Sequence, residues 1–400
     1  MKSRFILIVI FIFQLVQSSN GGTILSSKGA GTPYYFPNTR NMGIGNLGIA
    51  QCDSLTISRI NPAGLYTIKT TRLSIQYFYE NNRYKDNENG SATSNYSNLY
   101  GFTFVLPLGS GIGFAVGLAP ITRMDYKLAF SNTLMGESYT KSIEGQGGLN
   151  TFNFSFYWAI RHNFSLGISG NYLFGRLKEE WKVTYEGKGF TSSDDIFSTK
   201  NWGYGYTAGI IYRPFKSITL GTVFSPKTDL TNRTDIHYTF FNDSIKSHTG
   251  SFLFPGYWGV GTFCHIKKVG HIGIEFFQQD WPMLHINNKK VDNVQKVQRI
   301  SIGYESTPSR DYSAPYSKRM AYRLGFFCQP YFSLSPNGKT ITEKWITIGF
   351  GFPISRSASQ IDVALSFGKR GSIKTNGLSE NLFRLSFSIT GGEKWFIRRY

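Results

Sequence analysis

The most constraining feature of this 400-residue chain is an alternation of apolar with small or polar side chains, which recurs from about residue 71 to about residue 390. A period of two is that of an extended strand, because successive side chains point to opposite faces. The pattern is clearest in two stretches, whose apolar residues are Phe152, Phe154, Phe156, Trp158 and Ile160 in the first and Phe383, Leu385, Phe387 and Ile389 in the second. The chain therefore forms many strands that each have one apolar face.

Composition agrees with strands rather than helices. The chain has 34 Phe, 24 Tyr and 43 Gly, and its mean hydropathy is -0.22. No segment after the N-terminus approaches the roughly 18 consecutive apolar residues of a membrane-spanning helix. We predict an all-β fold, a transmembrane antiparallel β-barrel of about fourteen strands.

The strands of a soluble β-sandwich would also alternate between apolar and polar residues. The lengths of the connections distinguish a sandwich from a membrane barrel. Tight turns at Pro107 to Ser110, Arg161 to Asn163 and Pro214 to Lys216 are separated by long polar stretches. Short connections at one rim and long loops at the other are typical of outer-membrane barrels. The stretch Glu305 to Lys318 departs from this rule, because it is long where its neighbours are short.

The N-terminus indicates export. Lys2 and Arg4 precede an apolar run from Phe5 to Phe13, and small polar residues follow, as in a cleaved signal peptide. We predict a signal peptide over 1–20, an N-terminal plug over 21–70, the barrel over 71–390 and a C-terminal tail over 391–400. The expected location is the bacterial outer membrane, where the barrel contacts lipid.

The plug contains the motifs with the clearest family resemblance. Met42-Gly43-Ile44-Gly45 and Asn61-Pro62-Ala63-Gly64-Leu65 resemble the N-terminal hatch of the long-chain fatty-acid and aromatic-hydrocarbon outer-membrane transporter family (FadL/TodX-like). The run from Trp202 to Tyr206 and the run from Phe254 to Gly261 resemble later hairpins of that family. The resemblance implies a fourteen-stranded barrel with a hatch in its lumen, and it assigns hatch or gating roles to Asn61, Pro62, Ala63 and Gly64.

Pro120, outside the hatch, also has an expected role. It lies within the third predicted strand, about 111–127, and a proline there removes one ladder hydrogen bond. One interpretation is a local β-bulge. The family resemblance implies instead an inward bend that opens the wall sideways, which makes Pro120 a candidate for a lateral opening.

We expect a long loop from Thr228 to Phe254, between strands at about 217–227 and 256–266. It carries more apolar side chains than a solvated loop needs. We predict that these capture the ligand first, with packing against neighbouring loops as the alternative: Phe240, Phe241, Phe252, Leu253 and Phe254.

Other functional classes find little support in the sequence. The net charge of +19 suits solvated loops and anionic lipid headgroups, and no nucleic-acid module is present. Gly43 to Gly48 spells a dinucleotide fingerprint without its strand and helix. Cys264, His265 and His271 could converge, but too few ligands accompany them for a metal site. We predict that the protein is not an enzyme and that it binds no cofactor and no metal.

The leading prediction is passive uptake of hydrophobic small molecules such as long-chain fatty acids, with release controlled by the hatch. The alternative is a non-transporting outer-membrane barrel that acts as a scaffold or shuttle for secreted proteins. A continuous apolar pocket in the lumen would favour transport, and a filled lumen would favour the scaffold. An outer-membrane hydrolase is a third hypothesis, which would require a nucleophile and base at the rim.

Overall fold

The computed structural model describes residues 23–35, 38–87, 90–187, 189–240, 246–267, 269–309, 311–354 and 359–393. The predicted signal peptide, residues 1–20, lies outside these ranges, and so do residues 394–400 of the predicted tail. Within the described ranges, no helix is long and apolar enough to cross a membrane.

Fourteen strands form the wall, and three of them are interrupted at a bend. In chain order they are β1 (Thr71–Asp86), β2 (Ser91–Gly109), β3a (Ile112–Pro120) with β3b (Thr122–Leu134), β4 (Glu137–Arg161), β5 (Phe164–Tyr185), β6 (Ser193–Phe215), β7a (Ile218–Ser225) with β7b (Thr228–His237), β8a (Lys246–Phe254) with β8b (Tyr257–Ile266), β9 (Gly270–Gln279), β10 (Val297–Glu305), β11 (Ala321–Leu334), β12 (Thr340–Pro353), β13 (Gln360–Ser372) and β14 (Leu378–Glu393).

The sheet closes on itself. Neighbouring strands pair antiparallel, and β1 pairs with β14 from Thr71↔Glu393 to Asp86↔Leu378. Closure satisfies the backbone hydrogen bonds that an open edge would leave unpaired in lipid. The predicted all-β antiparallel barrel of fourteen strands is therefore confirmed.

The alternation also has the predicted register. Phe154 is 50% exposed on the outer face of β4, whereas Ser155 beside it is 4% exposed and faces the lumen. On β14, Arg384, Ser386 and Ser388 are buried inside, and the apolar residues between them face outward. The outer surface is apolar because it faces lipid, and the inner surface carries the polar side chains.

The predicted long loops are largely wrong. Most of their residues extend the strands: β4 has 25 residues, β5 has 22 and β6 has 23, and Met135–Gly136 is a tight turn between β3b and β4. The stretch from Thr228 to Phe254 consists mainly of β7b and β8a, which pair with each other. Above the bilayer both faces of a strand contact water, so the strand continues after its alternation ends.

The two rims of the barrel consequently differ. One rim, which we call the short-turn rim, joins strands through the connections 110–111, 162–163, 216–217, 267–269, 306–320 and 354–359. At the opposite rim, β1 to β8 rise far above β9 and β10, which have only 10 and 9 residues. We call this the tall rim.

Short elements complete the fold. The helices are α1 (Thr39–Gly43), α2 (Tyr316–Arg319), α3 (Ile373–Asn376) and three 3-10 helices at Ile24–Ser27, Pro62–Thr67 and Trp281–Met283; two-residue strands lie at Thr32–Pro33, His285–Ile286 and Lys289–Lys290. Asn38 caps α1 by accepting a hydrogen bond from the Asn41 amide at 2.7 Å. Both α1 and the helix Pro62–Thr67 are buried inside the ring of strands.

Candidate ligand site at the bend of the third strand

Residues 23–35 and 38–70, which we call the N-terminal segment, are held by buried charges on one side of the barrel. Arg40 of α1 donates to Glu305 of β10 at 2.9 Å and forms an ion pair with Asp53 at 2.6 Å. Arg323 of β11 donates to the same Glu305 at 2.7 Å. These groups are buried together, so each charge depends on its partners. The network ties α1 to the wall.

Glu275 of β9 makes a second anchor. One of its carboxylate oxygens accepts hydrogen bonds from the backbone amides of Gly48, Ile49 and Ala50 at 2.7, 2.5 and 3.2 Å. The loop after α1 can come this close because its glycines and those of the wall have no side chains in the way. Gly45 has φ +76°, a conformation that favours glycine, and a side chain there would lie 2.8 Å from the carbonyl oxygen of Ile302 on β10.

The Asn61 turn is fixed against the other side of the lumen. The Asn61 side chain accepts from the amide of Ala63 at 3.0 Å and donates to the carbonyl of Ile49 at 2.7 Å. The Ser165 hydroxyl of β5 donates to the carbonyl of Ala63 at 3.0 Å. Asn61 therefore caps its own helix and also links two parts of the segment.

The close approach of this turn to the wall comes from a wall glycine. A side chain at Gly167 of β5 would lie 2.3 Å from the Ala63 nitrogen, so only glycine fits there. A side chain at Gly64 would lie 2.8 Å from the carbonyl oxygen of Gln51, so Gly64 permits close packing within the N-terminal segment. The approach to the wall is made by Ala63.

Pro120 lies where the third strand bends. It is the last residue of β3a and still pairs with Asn150 of β4. Ile121 donates to the carbonyl of Leu149 on the β4 side at 2.8 Å. Because alternate residues direct their amides to opposite edges of a strand, the nitrogen of Pro120 points to the β2 side. The missing donor is therefore on the side where pairing with β2 has already ended.

The wall is open above this bend. The last pair between β2 and β3a is Phe102↔Leu118. Beyond it, β3b pairs with β4 and with the short strand Thr32–Pro33 of the N-terminal segment, and the strand pairs of the described residues include none between β3b and the Ser91–Gly101 part of β2. The guanidinium of Arg123 lies over the ring of Tyr96 and bridges the two edges. We call this interruption the wall gap.

A cavity of about 150 Å³ lies directly behind the wall gap. A second cavity of about 120 Å³ adjoins it and shares Arg59, Ile121, Thr151, Phe254 and Tyr257 with it. Aromatic side chains dominate the lining of the first, namely Tyr34, Tyr35, Tyr100, Phe254, Tyr257 and Phe277. Such a lining favours a flat, apolar ligand.

Two residues of the N-terminal segment add polarity to this cavity. The Tyr35 hydroxyl accepts a hydrogen bond from the Trp281 indole at 2.8 Å, which fixes the ring against Phe277 at 5.4 Å between centroids. Arg59 lies 6.0 Å from the centroid of the Tyr100 ring, and burial lowers the pKa of its guanidinium. Arg59 and Ile60 directly precede the Asn61 turn, so a movement of that turn would reshape the cavity.

The predicted capture residues are distributed differently from our expectation. Phe240 is 62% exposed in a turn at the tall rim, and Phe241 lies outside the described residues. Phe252 of β8a is 1% exposed within the lumen, and Leu253 is half-buried, so neither belongs to an exposed loop. Phe254 lines both cavities and packs on Trp281 at 5.7 Å between ring centroids. Phe254 therefore contributes to the cavity rather than to a capture loop.

The histidine cluster considered from the sequence does not assemble. His265 and His271 are paired across β8b and β9 with ring centroids 4.6 Å apart, but Cys264 lies on the opposite face from His265. Across the described ranges, no three His, Cys, Asp or Glu residues are grouped as metal ligands, and Cys52, Cys264 and Cys328 are free thiols.

The closed barrel and its apolar outer face define an outer-membrane β-barrel. Three solved structures share the fold: the CymD monoaromatic hydrocarbon channel (TM-score 0.61, 14% identity, covering 90% of this chain and 98% of that one), the Ralstonia pickettii toluene transporter TbuX (0.59, 13%, 90% and 98%) and a Pseudomonas aeruginosa FadL homologue (0.61, 12%, 92% and 100%). At these identities, the family resemblance seen in the sequence is supported as a likeness of fold.

The family itself is identified by the sequence match. Residues 1–400 match the family model described as BamG, so the chain belongs to the BamG family. No curated protein matches the sequence.

Sequence reasoning missed the charged anchors and Arg59. Glu275, Glu305 and Arg323 occupy inward positions of ordinary alternating strands, where a charged residue is unremarkable. The partners of Glu275 and Glu305 in the N-terminal segment lie more than 200 positions away. A sequence signal does exist, since inward charges are concentrated on β9 to β13, but alternation does not indicate which segment they bind.

Proposed function

We propose that this protein is a passive channel for hydrophobic small molecules, which bind in the cavity behind the wall gap and leave sideways between β2 and β3b. The observation that carries the proposal is the position of the aromatic cavity. It adjoins the place where the β2–β3a ladder ends at Phe102↔Leu118. A ligand there needs to break no hydrogen bond between the wall strands β2 and β3b to reach the bilayer.

Cavity size bears on the ligand. An engineered cavity of about 150 Å³ lined by apolar side chains binds benzene. The first cavity, at about 150 Å³, therefore suits a single aromatic ring. A long-chain fatty acid needs more space, so its passage requires the wall gap to widen or the Asn61 turn to shift. We propose that Asn61, Pro62, Ala63 and Gly64 control this shift, because Arg59 and Ile60 would move with them.

Two variants test the route. Pro120→Val returns an amide donor to the gap edge of β3, and replacing Asn61-Pro62-Ala63 by three glycines removes the cap and the fixed φ of the turn. Both should leave a folded, heat-resistant barrel, and both should slow uptake of toluene and of a long-chain fatty acid by intact cells. Pro107→Val, on β2 away from the cavity, is the matched control. Unchanged uptake in both test variants, at equal surface amounts, would contradict the proposal.

The scaffold for secreted proteins is a second candidate, and one observation favours it. The N-terminal segment is hydrogen-bonded to strands on both sides of the barrel, and its anchors at Glu275 and Glu305 are buried. Depletion of the protein distinguishes the two candidates. A channel predicts reduced uptake of hydrophobic compounds with normal levels of secreted proteins, whereas a scaffold predicts the reverse.

A further inference from the structure

The connection 306–320 is longer than closing the barrel requires, and its described residues, 306–309 and 311–320, are structured. Other connections at the short-turn rim have between two and six residues. This one forms α2 and has its own hydrogen bonds, including Ser309 amide to Lys318 carbonyl at 2.8 Å and Tyr316 hydroxyl to Pro353 carbonyl at 3.1 Å. Long ordered connections in compact folds are usually functional.

This connection roofs a cavity of about 540 Å³, larger than either cavity at the wall gap. Part of the lining is polar, with the hydroxyls of Ser306, Thr307 and Ser309, and part is apolar, with Leu55, Pro308 and Pro353. The size falls within the range of sites that enclose an organic ligand, roughly 300 to 1,000 Å³. We call it the rim cavity.

The arginines that line the rim cavity differ in whether a carboxylate pairs with them. Arg40 and Arg323 are neutralised by Glu305, Asp53 and Asp362. Arg319 has no carboxylate partner among the ion pairs of the described residues, and its Nε is buried without a hydrogen-bond acceptor there. A buried guanidinium nitrogen without an acceptor is costly, and an incoming carboxylate would satisfy it.

The surroundings favour a protein segment over a lipid headgroup. The cavity is lined by inward-facing residues such as Glu305, Arg323 and Gly351, so it opens along the barrel axis and away from the lipid-facing surface. Tyr312 and Tyr316 are 55% and 47% exposed beside Arg319. Tyrosine and arginine are the residues most enriched at the centres of protein interfaces.

We propose that the rim cavity binds an acidic peptide segment of a partner protein, with a carboxylate of that segment on Arg319 and its backbone among the hydroxyls of 306–309. The site is separate from the wall gap. It shares Arg40 and Glu305 with the ion pairs that hold α1, so a bound segment would lie against the anchor of the N-terminal segment.

Selection of random dodecapeptides on the detergent-purified full chain tests this proposal. Peptides retained by the wild type should be enriched in Asp and Glu, and the enrichment should disappear with Arg319→Gln and turn to Lys and Arg with Arg319→Glu. Arg83→Gln, an exposed position at the tall rim, should behave as the wild type. A retained acidic peptide should bind Arg319→Gln at least about tenfold more weakly in fluorescence polarisation.

Several outcomes would overturn the proposal. One is selection without acidic enrichment, and another is enrichment that Arg319→Gln leaves unchanged while the barrel keeps its heat-resistant mobility. Displacement of the peptide by acetate or phosphate alone at millimolar concentration would show a simple anion site and would equally contradict a peptide site. A photo-crosslinker at Tyr312 in intact cells should form adducts with protein, and adducts with lipid only would also contradict it.

Discussion

The two sides of the barrel hold the N-terminal segment by different means. On the side of β9 to β13, carboxylates and guanidinium groups fix α1 and the following loop, and the strands along it are paired. On the side of β2 and β3b, the wall gap interrupts the ladder, and aromatic side chains surround a cavity. Anchors on one side would retain the segment during the movement of the Asn61 turn that we propose above.

The largest effect should come from breaking the fixed side. Glu305→Ala would leave Arg40 and Arg323 without their shared carboxylate, and loss of one partner from a buried ion pair costs about 3 to 5 kcal/mol. We expect a lower urea midpoint and a lower temperature for loss of the compact gel mobility.

A matched ion pair on the other side provides the control. Glu144 pairs with Lys127, whose side chain is 61% exposed. Glu144→Ala should cost only about 0 to 1 kcal/mol, because water already screens that pair. Equal effects of the two variants would mean that the anchors contribute no more than surface charges.

The next largest effect concerns the outer face beside the gap. Phe154 of β4 is 50% exposed to the exterior, so Phe154→Arg places a charge in lipid and should cost about 2 to 4 kcal/mol near the bilayer midplane. Phe154→Leu keeps the face apolar and should assemble normally. The amount of heat-resistant barrel in the outer membrane measures both, and normal assembly of the Arg variant would argue against a lipid-facing wall at this position.

The sequence predicts the role of Phe154 but not the role of Glu305. The position of Phe154 follows from the period of two, because one apolar face must meet lipid. The role of Glu305 does not, because its partner Arg40 lies in a different part of the chain and no local pattern joins them. Pro120 ends β3a, where the third strand is interrupted, but the aromatic side chains of the adjacent cavity come from β2, β8, β9 and the N-terminal segment, which no local pattern joins. The sequence did not predict the extent of β7b and β8a, because both faces of these strands contact water and their residues do not alternate between apolar and polar.

A smaller effect concerns the thiol of Cys52 in the N-terminal segment. Burial raises its pKa to about 11, although Arg213 nearby opposes the shift. In a Cys264→Ser, Cys328→Ser background, labelling by maleimide at pH 8 should be about a hundredfold slower than for an ordinary thiol, because less thiolate is present. The rate should rise about tenfold per pH unit towards pH 11. A rate at pH 8 equal to that of a free thiol would show that the segment leaves the lumen readily.

The last prediction concerns the orientation of the barrel in the membrane, and we expect its variants to show no change in stability. Single cysteines at positions 86–94 and 194–199 should react on intact cells with a membrane-impermeant maleimide, and cysteines at 161–163 should not. This places the tall rim, and so the upper part of the wall gap, outside the cell. The reverse pattern would invert the barrel.

A crosslink across the wall gap would test lateral release of the ligand. In a background without the three native cysteines, Tyr96→Cys and Arg123→Cys would be joined by a short bis-maleimide, since these side chains meet across the gap. We expect toluene uptake into proteoliposomes to fall to the protein-free rate when the crosslink forms, and either single-cysteine variant treated alike to keep wild-type uptake. Full uptake through the crosslinked barrel would contradict lateral release.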